Sequence, residues 1–231
     1  AACAVSPNQI DISFLPKGLH DMPSFEMRSR VQAAIDEVDT SGYQAILLGY
    51  GLCNNGLHGI RAPDIPLVLP RAHDCITLFF GCKKRYLDYF NANPGTYFLT
   101  SGWIERGGAT GEINQSSMQD QIGLNENYEE LVEKYGEDNA KFLMETEQQW
   151  HANYDRAAYV DVDGIGAAAA DVEFTRQCAR WLGWQFDQQC GDPRLIRQLV
   201  LGPWDPEEFV IVPPGQTIRL TGDDRVIDVA D

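Results

Sequence analysis

Apolar residues between positions 24 and 38 recur at the spacing of one helical face: Phe25, Met27 or Arg28, Val31, Ile35 and Val38. Ser24 stands where an N-cap belongs. Residues 44–50 (QAILLGY) form an uninterrupted apolar run, as expected of a strand buried in a parallel sheet. The Gly/Asn-rich turn GLCNNGLHG follows. PLVL (66–69) reads as a second strand closed by Pro70. RAHDC comes next, and ITLFFGCKKRYLDYFNA reads as one helix with Asp74 as its N-cap. PGTYFLT (94–100) reads as a strand entered through a Pro-Gly turn, and AACAV (1–5) as a short strand.

The middle of the chain has a different texture. Residues 105–123 are polar and rich in Gly, Ser and Gln, which suits a loop or lid. Residues 124–155 are helical in pattern, with a break expected at Gly136. AAYVDV (157–162) returns to strand, and GIGAAAADVEFTRQCARWLGW gives a Gly turn and a helix ending at Gly183. WQFDQQCGD gives a strand, PRLIRQLVLG a helix started by Pro193, and EEFVIVPPGQTIRLT a terminal strand with a frayed tail. The expectation is an α/β fold: a mostly parallel sheet with helices on both faces, in two Rossmann-like βαβ halves around a helical insert. The corresponding boundaries are 1–104, 105–156 and 157–231. Ligands of such sheets sit at the carboxyl ends of the strands.

Composition narrows the function. The 231 residues are 44% hydrophobic, which is a globular proportion. Their 18 Lys+Arg against 34 Asp+Glu give a net charge of −16. A field of that sign argues against nucleic acid and anionic lipid as partners. No apolar stretch has the length of a membrane span. The start AACAVSPNQI has neither a basic n-region nor an apolar h-region, so no secretory leader is expected. Six cysteines without a dense disulfide spacing then point to a reducing cytoplasm, where thiols are buried, metal-bound or catalytic.

Three of the reactive residues follow strands directly. Cys53 comes just after QAILLGY, and His73 and Cys75 just after PLVLP. With Cys3 they form a soft and borderline donor set suited to zinc or an iron–sulfur centre. Cys53 lies between Gly51 and Gly56, a poor setting for a core thiol, and a helix N-terminus at Cys75 favours its thiolate. Cys3 in a strand also fits the core, Asp74 also fits a plain cap, and Cys82 fits packing. Cys178 and Cys190 are candidates for a distant ligand. His20-Asp21 forms a second His–Asp pair of the kind that orients a ligand or moves a proton. His58 and His151 carry no comparable signal. Backbone N–H groups of Asn54-Asn55-Gly56 suit an anion, and Arg71 suits a carboxylate or phosphate, so these residues are the cofactor-binding candidates. Tyr97, Trp103 and Trp150 suit either a pocket wall or the core. There is no G-x-G-x-x-G after a strand, no Walker loop and no G-x-S-x-G.

GYGLCNNG, PRAHDCITLFFG, PGTYFLTSGW and the tail GDPRLIRQLVLGPWDPEEFVIVPPGQTI together resemble the domain-of-unknown-function 1638 family. The resemblance implies functional positions at Cys3, His20, Cys53, His73, Asp74 and Cys75. It also implies an anaerobic setting, methanogens included, alongside corrinoid-dependent methyl transfer. Members commonly have Gly where this chain has Asn54 or Asn55, and Asn tolerates left-handed φ.

One reading is an enzyme or enzyme component with a metal–thiolate site linked to methyl transfer. Cys53, His73 and Cys75 bind zinc, Cys3 completes or neighbours the set, and His20, Asp21 and Asp74 assist catalysis. Its partners are a small-molecule substrate or a corrinoid protein, with corrinoid reaching the site through that partner, and a homodimer fits the composition. A second reading is an iron–sulfur carrier or cofactor-assembly protein without catalysis. A third is metal-free nucleophilic catalysis by Cys75 with His73 or His20.

Overall fold

The computed structural model describes residues 2–16, 19, 22–105, 132–133, 136–139, 152–162 and 169–230. Its strands are β1 (Ile46–Leu47), β2 (Leu67–Pro70), β3 (Thr96–Leu99), β4 (Arg156–Asp161), β5 (Gln185–Cys190), β6 (Phe209–Val212), β7 (Thr217–Leu220) and β8 (Ile227–Ala230). Its helices are α1 (Ser24–Asp36), α2 (Cys75–Phe80), α3 (Lys83–Ala92), α4 (Ser101–Glu105), α5 (Ala169–Leu182) and α6 (Arg194–Leu201). The chain divides into two compact units, Ala1–Leu87 with Gly191–Asp231, and Asp88–Cys190. The first unit is thus discontinuous in sequence, and the borders differ from the expected 1–104, 105–156 and 157–231. Most of the expected insert lies outside the described residues.

The fold is mixed α/β, but a single mostly parallel sheet is not what forms. In the first unit β1 pairs parallel with β2, and β6 closes the other side of β2 antiparallel. β7 and β8 form a separate antiparallel hairpin. The second unit holds a wholly parallel sheet in the order β3-β4-β5. Local chemistry explains the departures. The apolar run 44–50 yields only a two-residue strand, although pairing extends one residue further through Leu48 N–H to the Val68 carbonyl at 2.8 Å. Gly49 and Tyr50 then leave the register. Pairing resumes at Leu52, whose N–H donates to the Ala72 carbonyl at 2.8 Å.

Other expectations change for equally local reasons. Residues Ala2–Val5 coil into a 3-10 turn, and the turn packs on α6. The long helix after RAHDC is two helices, because Gly81 takes φ 70° and caps α2 by donating to the carbonyls of Thr77 and Leu78. Ser24 does not cap α1. Pro23 holds that place without a side-chain bond, and Ser24 Oγ donates instead to the Asn54 carbonyl at 2.6 Å. The supposed frayed tail is the strand β8, whose Ile227 is fully buried. The helix ending at Gly183 and the helix started by Pro193 form as read.

Each unit has its own core. In the first, Val68, Ala72, Leu78, Leu195, Leu199 and Phe209 gather, with Leu47 and Trp204 packed against them. In the second, Leu99, Ala157, Cys178 and Ala179 gather under Tyr97, Phe174 and Trp184. Complete burial of one such aliphatic side chain stabilises by about 1.5–3 kcal/mol. Among the described residues no helix is long and apolar enough to cross a membrane.

Candidate functional site

The carboxyl ends of β1 and β2 bring two cysteines together. Beyond β1, the Cys53 N–H donates to the His73 carbonyl at 3.0 Å, so the two chain segments run side by side into their loops. Gly51 permits this approach: a Cβ there would lie 2.5 Å from the Asp74 carbonyl carbon. Cys75 opens α2, and the Cys53 thiol lies near enough to act on the Cys75 thiol. Both cysteines are half-buried.

The loop that carries Cys53 is wound left-handed. Cys53, Asn54 and Asn55 have φ values of 30°, 33° and 65°, a conformation that Asn adopts more readily than most residues. Two bonds hold the turn in place. The Asn54 Nδ2 donates to the Met22 carbonyl at 2.9 Å, and Ser24 donates to the Asn54 carbonyl. Asn54 and Asn55 are exposed.

Asp74 is the N-cap of α2. Its Oδ1 accepts from the Thr77 N–H at 3.0 Å and from Thr77 Oγ1 at 3.2 Å. Its Oδ2 accepts from the Tyr86 hydroxyl at 2.8 Å. Both carboxylate oxygens therefore serve the helix start and the packing of α3. His73, one residue earlier, is exposed.

Electrostatics at the pair run opposite to the expectation for a helix N-terminus. The hydrogen bond from Cys53 comes first and burial second, with the Coulomb effects of Cys53 and Asp74 after them. Together they push the Cys75 thiol well above its ordinary value, against the lowering by the backbone at the helix start. Tyr50 stands beside the pair; burial first, and then Cys53 and Cys75, push its hydroxyl up. Burial, followed by Asp74, does the same to Tyr86.

The other expected residues lie elsewhere. Cys3 is half-buried in the 3-10 turn on α6, and Cys82 is half-buried between α2 and α3. Cys178 and Cys190 belong to the second unit, Cys178 in its core. Arg71 is buried, and its guanidinium is taken up by the chain itself. It donates to the carbonyls of Pro206 at 2.8 Å, Arg225 at 3.3 Å and Ile227, and stands 3.8 Å from Asp228. Those bonds tie the β7–β8 hairpin to the segment that leads into His73 and Cys75. His20 and Asp21 lie outside the described residues. Their neighbours Leu19 and Met22 are described, Leu19 buried and Met22 bonded to Asn54. Among the described residues, no group of three or more His, Cys, Asp and Glu gathers closely enough to hold a metal ion. Of the set Cys3, Cys53, His73 and Cys75, the contact shown is that of Cys53 with Cys75.

Tyr50 and Tyr86 were not singled out by the sequence. Tyr50 has a signal, since it ends the apolar run just before Cys53. Tyr86 has none, because its partner Asp74 lies outside its own helix.

These features define a mixed α/β protein with a dithiol centre at the carboxyl edge of a parallel strand pair. A family model described as protein of unknown function, DUF1638, matches residues 14–200, and the chain belongs to that family. The matched span includes Cys53, His73, Asp74 and Cys75, while Cys3 and β6–β8 lie beyond it. No curated protein and no solved structure matches the chain.

Proposed function

We propose that this protein is a metal–thiolate protein, an enzyme or enzyme component, in which Cys53 and Cys75 are the thiolate ligands of a soft divalent cation, zinc above all. The observation that carries the reading is the meeting of the Cys53 and Cys75 segments at the carboxyl edge of β1 and β2, where the Cys53 N–H bonds to the His73 carbonyl at 3.0 Å. Two sulfurs at one point fit the donor preference of zinc. A further ligand would come from His73, exposed in the same loop. A bound zinc would lower the pKa of a substrate thiol and so prepare it to accept a methyl group at neutral pH.

The chain's own residues set up that chemistry. The Asp74 cap fixes the first turn of α2 and with it Cys75. The left-handed turn Cys53–Asn55 turns the second sulfur back onto it. The Cys53 thiol, followed by burial, favours the neutral form of Cys75, so its proton must leave when a metal enters, and uptake falls with acidity. The parallel pair β1–β2 and the parallel sheet β3-β4-β5 support reading the chain as two βαβ-type halves, with the ligand edge at their strand ends. The DUF1638 resemblance adds a corrinoid protein or a small thiol as partner, and reduced cysteines suit the cytoplasm.

The test is anaerobic purification and metal analysis of the wild type and of Cys53→Ser and Cys75→Ser. We expect stoichiometric zinc in the wild type and its loss in both variants. Stoichiometric metal in both variants would overturn the reading, and iron with visible absorption would replace it with the cluster.

A further inference from the structure

Cys53 and Cys75 meet from two segments that are locked together at backbone level. Leu52 and Cys53 donate to the carbonyls of Ala72 and His73 at 2.8 and 3.0 Å. Gly51 lies flat against the backbone of Asp74, where a side chain would push the segments apart. A disulfide requires a short span between the two Cβ atoms. Cys53 and Cys75 stand on these adjoining segments, near enough for one thiol to act on the other, and the backbone bonds hold them there. Neither cysteine is sealed in: both are half-buried, and exposed Asn54, Asn55 and His73 flank them. A small disulfide can therefore reach the sulfurs.

We infer that Cys53 and Cys75 form a reversible internal disulfide, which switches the metal site off. The oxidant is a low-molecular-weight disulfide of the glutathione class. One cysteine thiolate attacks its S–S bond, which breaks to give a mixed disulfide and one small thiol. The second cysteine thiolate attacks the protein sulfur of that mixed disulfide, and the second small thiol leaves as the Cys53–Cys75 bond forms. Two electrons pass from the cysteine pair to the small disulfide. The two cysteine protons end on the two small thiols. The inference rests on the same sulfur pair as the metal reading, and the two states exclude each other. A disulfide sulfur no longer offers the thiolate that a metal takes.

The experiment uses the full chain, treated with a chelator and equilibrated across graded ratios of reduced to oxidised glutathione. Alkylation of the remaining thiols and peptide mass mapping then report each cysteine, and zinc uptake is measured on the same samples. The expected product joins the Cys53 and Cys75 peptides and is lighter by two hydrogen atoms. It reverts with excess reduced glutathione, and zinc uptake falls in step with its formation. In Cys53→Ser, the remaining Cys75 holds a glutathione adduct instead. Persistent adducts on either cysteine of the wild type, no oxidation at any ratio, or oxidised protein that still takes zinc would each overturn the inference. Reduced protein that takes no zinc, yet forms the disulfide, would instead overturn the metal reading and leave the disulfide standing.

Discussion

The two sets of parallel strands end in different chemistry. At the carboxyl ends of β1 and β2, in the first unit, stand two half-buried thiols, one acting on the other. At the carboxyl ends of β3 and β4, in the second unit, stands a polar knot. Ser101 Oγ lies 2.7 Å from the Tyr159 hydroxyl and donates to Asp171 Oδ2 at 2.5 Å, with Ser101 only 7% and Tyr159 1% exposed. The same rule of α/β sheets points to both edges. The difference shows that the rule locates an edge and not a site. A buried hydroxyl–carboxylate chain whose members satisfy one another stabilises the helices that it joins. A thiol pair at a loop edge still has chemistry to offer a ligand.

The largest effect is expected from removing the close approach at the thiol edge. In Gly51→Ala the new methyl meets the Asp74 backbone, which cannot move aside as a flexible side chain can. We expect a loss of about 3 kcal/mol in denaturant unfolding, at the upper end for overpacking. We also expect loss of binding to phenylarsine oxide, which needs two neighbouring thiols. The control is Gly95→Ala in the second unit, where the nearest atom is the Asp155 side-chain Oδ1 at 2.8 Å. It should cost about 1 kcal/mol, because that carboxylate can shift, and it should leave dithiol binding intact. Unchanged arsenical binding in Gly51→Ala would break the comparison.

Asp74 is next. Asp74→Ala removes the cap on Thr77 and leaves the Tyr86 hydroxyl without its acceptor, for about 2–3 kcal/mol in all. Asp74→Asn keeps one oxygen acceptor, and its loss should be about 1 kcal/mol or less. Metal uptake measured on Asp74→Asn separates a cap from a participant. Unchanged uptake assigns Asp74 to the helix start, while a stable protein that has lost its metal assigns it to the site.

Much of the thiol edge was legible in the sequence because its signals are local. An apolar run followed by Gly-Leu-Cys, and a strand followed by His-Asp-Cys, place the cysteines at strand ends whatever the partners of those strands. The cap at Asp74 is legible for the same reason. Sheet composition was not legible. Whether β6 joins β2 antiparallel depends on how a segment some 140 residues later returns, and no short window encodes that. Arg71 failed as a ligand candidate for a similar reason: its acceptors are carbonyls of Pro206, Arg225 and Ile227, far along the chain. The strand at residues 1–5 failed because small apolar residues carry no period, so packing on α6 decides their conformation.

The polar knot gives a smaller prediction. Tyr159→Phe removes one bond to Ser101 while Asp171 keeps its own, so the cost should be about 1 kcal/mol. Zinc content and dithiol binding should not change. A change in either would join the second unit's edge to the chemistry of the first.

The smallest effect concerns the one cysteine that is plainly core. Cys178 is 2% exposed, and burial alone pushes its thiol up to about 11 from the ordinary 9.0. At Cys75 the partner thiol comes before burial, so the two raised thiols have different causes. Between pH 9 and 11 the folded chain keeps the Cys178 proton that the unfolded chain has lost. Unfolding therefore releases a proton, and stability falls as pH rises through that window. Half-buried Tyr97, pushed up to about 12, acts in the same direction at higher pH, so the informative quantity is a difference between proteins. Cys178→Ala should be less stable than the wild type by about 1 kcal/mol near neutrality, from lost packing. That gap should narrow above pH 9 and reverse before pH 11, as the wild type alone loses the thiol contribution. Urea unfolding at several pH values measures it. A gap that stays constant across the window would mean that Cys178 titrates as an exposed thiol does, and that the core of the second unit admits water where the comparison holds it closed.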